Sequence, residues 1–269
     1  MSRVFSLAHL TVLGCSPPEM IRLAGAAGYD AVGIRAIPLG LPDEPKYDVA
    51  HDRELFDLTR RAMADTGVFI NDIELARITA GVDIPSYEPA FAAGAELGAR
   101  RVLSSIWVPD RSYYIDKFGE LVDLAGKYGL TVELEFVAWA SVSDLDQAVD
   151  VLKSVGRPNT GIMIDTLHAQ RSHVPASALS ALPREWFHMA HICDGPAEIP
   201  TDRETLIFQG RDAREYVGDG GIDIAAYVRE MPQDTVLSIE LPNLSNVQRY
   251  GYAEHASRCL EKAKAYLGK

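Results

Sequence analysis

The 269-residue chain carries 26 Lys and Arg against 38 Asp and Glu, for a net charge of −12, with 47% hydrophobic residues. That is globular composition, long enough to bury a large core as one α/β-barrel-sized domain or two small ones. An acidic chain with no basic run of five or more disfavours nucleic acid, which needs concentrated Lys and Arg.

In chain order, residues 3–10 read as a first strand. The segment Val4–Cys15 is too short in apolar run, and too poor in positive charge, for a secretion signal. Pro17-Pro18-Glu19 opens a helix to about Ala27, because proline in the first turn gives up no hydrogen bond. Strand two spans 31–37, and a proline-containing loop spans 38–47. A helix over 51–66 follows, closed by Gly67, then strand three over 68–76 and a helix over 86–97. Strand four covers 101–107, with a helix from about 113 to 128. Strand five covers 130–137, with a helix over 143–155, and strand six covers 160–166. A short helix near 175–182 precedes strand seven, 186–193. An irregular segment runs over 194–221. A helix over 222–231, strand eight over 235–241 and a helix over 252–267 close the chain.

Eight strand–helix alternations without a composition break predict a parallel sheet. Eight units in this length predict a single-domain α/β fold, a (β/α)8 TIM barrel over residues 1–269. A doubly wound open sheet is the other arrangement. Its dinucleotide-binding version lacks support, because no Gly-rich loop follows the first strand. Cys15, Cys193 and Cys259 are odd in number and far apart, which suits neither a disulfide framework nor a zinc motif and predicts a cytoplasmic protein. No stretch has the length of a membrane span. Nothing in the sequence argues against a homo-oligomer.

The stretch Gly161 to His168 organises the site. As a strand it puts Gly161, Met163 and Asp165 on one face. An acid at the end of a buried strand is costly unless something pairs with it; a helix cap and a metal ion are both such partners. Three neighbouring strands end alike, in Glu135, His191 and Glu240. In a barrel these C-terminal ends form the reactive rim, and four ligand-type residues in register there predict a metal site. Alternation agrees. Val132, Leu134 and Phe136 face the helices, so Glu133 and Glu135 face the axis; Leu237, Ile239 and Leu241 do the same for Ser238 and Glu240. The same parity turns Arg35, Asp72 and Glu74 inward, and Arg35, Glu74 and Glu133 are expected to form a linked polar cluster. Arg35 and Glu74 are also candidates for substrate contact. Trp107, Tyr113, Tyr114 and Trp139 are candidate pocket aromatics, of which two or more are expected only to pack helices.

Several segments carry a resemblance. They are Ala-Gly-Tyr-Asp-Ala-Val-Gly-Ile (27–34), Glu135, the run 158–162 into Asp165-Thr-Leu-His168, His191-Ile-Cys-Asp194, Gly218-Asp-Gly-Gly-Ile-Asp223 and Ser238-Ile-Glu240. In this order the chain resembles the xylose-isomerase-like (β/α)8 family of sugar isomerases, ketose 3-epimerases, inosose dehydratases, 3-dehydroshikimate dehydratases and endonuclease IV. The resemblance implies Glu135, Asp165, His191 and Glu240 as metal ligands, and His168 and Arg214 at the substrate, with Arg211 as the alternative to Arg214. It also implies Glu135 and Glu240 as the catalytic acid–base pair. Two positions depart from the pattern. Arg35 stands where the family often has Glu. The segment Glu135-Phe-Val-Ala-Trp139 looks like that of the 3-dehydroshikimate dehydratases, which tend to have Gln in place of His191.

Three carboxylates and an imidazole suit one Mn²⁺, Mg²⁺ or Co²⁺, and zinc also fits. The partner expected is a small polyhydroxy carbonyl compound. Proton removal beside its carbonyl, through an enediolate, gives isomerisation or epimerisation; loss of a β-hydroxyl gives dehydration. The remaining alternative is a non-catalytic metal-binding scaffold barrel.

Overall fold

A computed structural model describes residues 3–40 and 44–268 of the chain; residues 41–43 of the proline loop lie outside the described residues. Eight strands, β1 (Phe5–Ala8), β2 (Ala31–Arg35), β3 (Phe69–Ile78), β4 (Arg101–Ile106), β5 (Thr131–Glu135), β6 (Thr160–Asp165), β7 (Met189–Ile192) and β8 (Val236–Ile239), pair in sequence order. All pairs are parallel, and β8 returns to β1, closing the barrel. The main helices are α1 (Pro17–Ala27), α2 (Arg53–Thr66), α3 (Glu88–Glu96), α4 (Arg111–Gly126) and α5 (Leu145–Val155). They continue with α6 (Thr166–Arg171), α7 (Arg203–Asp212), α8 (Ile224–Glu230) and α9 (Leu244–Leu267).

Local chemistry sets the helix starts. Ser16 and Glu19 form a reciprocal capping box on α1. The carboxylates of Asp52, Asp110, Asp144, Asp202 and Asp223 each accept a backbone N–H in the first turn of the helix that follows. Each such cap is worth about 1 kcal/mol. Asn243 caps α9 in the same way, so that helix begins at Leu244 rather than Tyr252, with a break at Gly251 (φ 74°).

Two cores follow from strand alternation. Outward residues such as Leu7, Val32, Ile34, Val132, Leu134, Ile162 and Ile239 are buried against the helices in one continuous cluster. Inside the barrel, Leu103, Met163, Met189 and Val236 form a small apolar plug. The rest of the interior is polar and buried, including Ser6, Asp72, Glu74, Glu133, Glu135, Asp165, His191 and Ser238. The plug and the polar residues put the reactive groups at one end, where β5 to β8 finish.

Other elements also differ from the sequence expectation: α6 follows β6 directly, and the helix read near 175–182 is a 3-10 helix over Ala176–Ala181. The segment 194–221 contains α7, of whose residues only Gly210 is buried. Strand β3 runs on to Ile78 and slips register between Ile73 and Ala76.

Candidate functional site

Glu135, Asp165, His191 and Glu240 come from the ends of β5 to β8 or the residue just beyond. Pairing sets Asp165 beside His191. One ligand atom from each of the four lies within 4.8 Å of the others, and all four residues are buried. Asp165 acts first as a cap: its Oδ1 accepts the His168 N–H at 2.9 Å, starting α6. Its Oδ2 lies 2.6 Å from Arg214 Nη1. The second Arg214 nitrogen, Nη2, lies 2.9 Å from Glu240 Oε2, and Nε donates to the Gly210 carbonyl at 2.8 Å.

Electrostatics follow from this crowding. Burial would push Glu240 up, but His191 and Arg214 beside it outweigh burial and hold its carboxyl far below the usual range. Asp165 is lowered too: burial opposes, and Arg214 and His168 prevail. Burial also works against charge on His191, yet Glu240 and Glu135 hold the imidazole well above its ordinary value. Burial lowers His168, favouring the neutral ring. That ring sits edge-on to Trp139 with centroids 4.7 Å apart.

The donors fit a divalent ion. His191 Nδ1 approaches Glu240 at 3.4 Å and Glu135 at 3.6 Å, too far for good hydrogen bonds. Both His191 nitrogens and Glu135 Oε1 are therefore buried without a hydrogen-bond partner. Leaving such groups unmade costs about 1–3 kcal/mol each, more when charged. A cation among them removes that cost, and three carboxylates with one imidazole are a hard donor set. Among the described residues, this is the cluster that could hold a metal ion.

Above the four residues opens a cavity of about 390 Å³. Four of the five substrate candidates, Arg35, Trp107, His168 and Arg214, line it; Glu74 does not, being fully buried and paired with Arg35 at 3.2 Å. Arg35 is held from its backbone too, since its N–H donates to His9 Nδ1 at 2.7 Å. Burial lowers His9 to about 4, so it stays the neutral acceptor this bond requires. Glu44 also contacts Arg35, at 3.4 Å. Of the aromatics, Trp107 and Trp139 line the cavity. Tyr113 instead bonds the Thr79 carbonyl, and Tyr114 is buried within α4.

The expected Arg35–Glu74–Glu133 cluster divides into two tiers. Glu133 faces the interior as parity requires, but its partners are His188 Nδ1 at 2.9 Å and Arg101 Nε at 3.8 Å. Arg101 opens β4, and His188 precedes β7. Both belong to the layer below Arg35, so Arg35 pairs with Glu74 and Glu44 while Glu133 finds its counter-charges beneath. A Cβ at Gly161 would strike the Glu133 carboxylate and the His188 ring, which explains a glycine at the start of this strand.

Sequence reasoning passed over Arg77 and Gly210. After the β3 register slip, Leu75 and Arg77 line the cavity. Gly210 packs under the Trp139 ring, where a Cβ would collide with it. The His191-Ile-Cys-Asp194 and Gly218–Asp223 segments meet one another. The Asp194 carboxylate accepts the N–H groups of Gly195 at 2.9 Å, Gly218 at 2.9 Å and Ile222 at 3.0 Å. Asp194 also pairs main chain to main chain with Glu215. This clasp closes the excursion that carries Arg214.

The sequence profile of the xylose isomerase-like TIM barrel family matches residues 21–263. An inosose isomerase of Bacillus velezensis is 30% identical over 127 residues, 45% of this chain and 43% of that protein. A 3-dehydroshikimate dehydratase of Pseudomonas aeruginosa is 26% identical over 236 residues, 83% of this chain and 35% of that protein. The chain thus spans less than half the length of these curated relatives. Among solved structures, an IOLI protein with a bound zinc atom superposes with a TM-score of 0.82 at 20% identity, covering 98% of each chain. No helix of the described residues is long and apolar enough to cross a membrane.

Proposed function

The chain belongs to the xylose isomerase-like TIM barrel family, and from that premise we propose a divalent-metal-dependent isomerase or epimerase of a polyhydroxy carbonyl compound. The observation that carries this reading is the floor of the cavity. Four buried donors converge within 4.8 Å there, and the unpartnered His191 nitrogens and Glu135 Oε1 are among their atoms. Glu135, Asp165, His191 and Glu240 would hold Mn²⁺, Mg²⁺ or Co²⁺, or else Zn²⁺. When bound, such an ion supplies Lewis-acid polarisation of a carbonyl, which acidifies the adjacent C–H.

The residues of the chain do the rest. Glu240, kept anionic by His191 and Arg214, accepts the proton. Glu135, on the other side of the cluster, returns one to the opposite face or to the neighbouring carbon. That exchange inverts a centre or moves the carbonyl. Arg214, tied to the Gly210 carbonyl and to Asp165, orients the substrate oxygens. The neutral His168 ring, with an unpartnered Nδ1, offers a hydrogen bond to a hydroxyl. Trp107 and Trp139 wall off water.

Dehydration is the second reading. The dehydratase relative aligns over 83% of the chain, against 45% for the isomerase, and the same two carboxylates serve if a β-hydroxyl leaves. The deciding experiment is solvent-deuterium exchange with added Mn²⁺ over ketoses, inososes and 3-dehydroshikimate. Exchange with epimer or isomer formation supports the first reading. An unsaturated product replaces it with the lyase. Bound metal with no exchange on any of them leaves a non-catalytic barrel.

A further inference from the structure

The cavity has two electrically different ends. Carboxylates gather on the β5 to β8 side, where Arg214 is tied to Asp165 and Glu240. Arg35 is likewise tied, to Glu74 and Glu44. Two further arginines line the same cavity, Arg77 from β3 and Arg211 from the end of α7. Neither forms an ion pair within 4 Å with a described carboxylate. Arg77 donates to the Leu39 carbonyl at 3.1 Å, and its guanidinium stands 5.8 Å from the Trp107 ring centre. Glu44 and Asp212 also line the cavity. Glu44 is already engaged by Arg35 and by the Gly40 N–H, and Asp212 follows Arg211 directly in the chain.

We propose that Arg77 and Arg211 bind an anionic group on the substrate, a carboxylate or a phosphate ester, while its hydroxyl and carbonyl oxygens lie at the acidic end. A planar guanidinium held against an aromatic face suits bidentate recognition of either anion. Burial depresses Arg77, with Tyr87 and Glu44 opposing and the charges of Arg211 and Arg35 adding to it; an incoming anion offsets the depression. In a chain of net charge −12, two cations that pair with no described carboxylate also guide an anion past a repelling surface. The inference rests on the proposed reaction at this cavity and narrows its substrate to a charged polyol.

The test uses pairs with and without the anionic charge, titrated calorimetrically into the Mn²⁺-loaded protein: shikimate against methyl shikimate, and glucitol 6-phosphate against glucitol. The expected result is that one acid binds at least about tenfold more tightly than its neutral partner. Which acid does so names the anion. Arg77→Met and the exposed Arg211→Ser should each remove most of that preference and leave the neutral ligand unchanged. Equal or tighter binding of both neutral compounds overturns this inference and leaves the metal-dependent reaction standing. Arginine variants that weaken acid and neutral ligand alike show a structural role and overturn it as well. Failure of all four to bind the metal-loaded protein removes both readings.

Discussion

Arg214 and Asp165 meet at 2.6 Å, and through this pair the cavity floor carries its own internal cation. Asp165 spends one oxygen on the first turn of α6 and the other on the guanidinium. The residue is therefore both the helix cap and a member of the candidate ligand set, and the two roles separate experimentally. Asp165→Asn keeps a capping oxygen, since Asn and Asp cap helices equally, but removes the charge. The variant should fold and lose Mn²⁺ affinity by at least about tenfold, more than about 1.4 kcal/mol. Calorimetric titration with Mn²⁺ checks this, and unchanged affinity would place the ion elsewhere.

Glu240→Gln should keep the fold and the volume of the side chain, yet be unable to take a proton. Loss of a general base costs about 10²–10⁴ in rate, whereas a weaker ligand is offset by excess ion. The measurement is kcat at saturating Mn²⁺. Turnover restored to the wild-type value would reduce Glu240 to a ligand and move the base to Glu135 or His168.

The middle of the barrel should respond to pH through Asp72. Burial raises its carboxyl from 3.8 to about 6, with Asn71, His191 and Arg101 opposing. The folded state then binds more protons than the unfolded one between those values, so this carboxyl makes stability fall as pH rises through that window and level off above it. Asp72→Asn lacks the effect. In EDTA, its unfolding free energy from denaturant melts should gain on wild type from about pH 4 to about pH 6, by on the order of 2 kcal/mol, and then hold. A gap independent of pH would show that Asp72 does not titrate there.

Gly161→Ala tests the lower tier. Its Cβ would collide with Glu133 and His188, and overpacking of this kind costs about 1–3 kcal/mol. Denaturant melts should show that loss. The double variant Gly161→Ala with Glu133→Ala should lose less than the sum of the two single changes, because the clash with the Glu133 carboxylate is gone.

Much of this was legible in the chain. Strict alternation in Val132-Glu133-Leu134-Glu135 and Leu237-Ser238-Ile239-Glu240 fixes which acids face the axis, because a buried outer face cannot tolerate a one-residue slip. Parity says nothing about height, however. Strands in a barrel are tilted, so Arg35 and Glu133 share a direction but stand in different layers. That is why Glu133 pairs with Arg101 and His188 instead. Arg77 escaped notice because the β3 register slip changes the parity beyond Ile73. Helix α7 escaped because it buries almost nothing, and a helix without an apolar stripe leaves no period to read.

The Asp194 clasp makes one face of this barrel open to grafting. Three backbone N–H groups and a main-chain bridge tie the root of the 195–221 excursion, while residues 201–205 at its outer edge are exposed. A reporter peptide spliced between Pro200 and Thr201 would hang from the knot without tugging on Arg214. Lengthening a flexible loop adds only about 0.6 kcal/mol per doubling. The tip of this arm is thus exposed while the far end of α7 lines the cavity, and a fluorescent or affinity handle can sit within reach of the mouth.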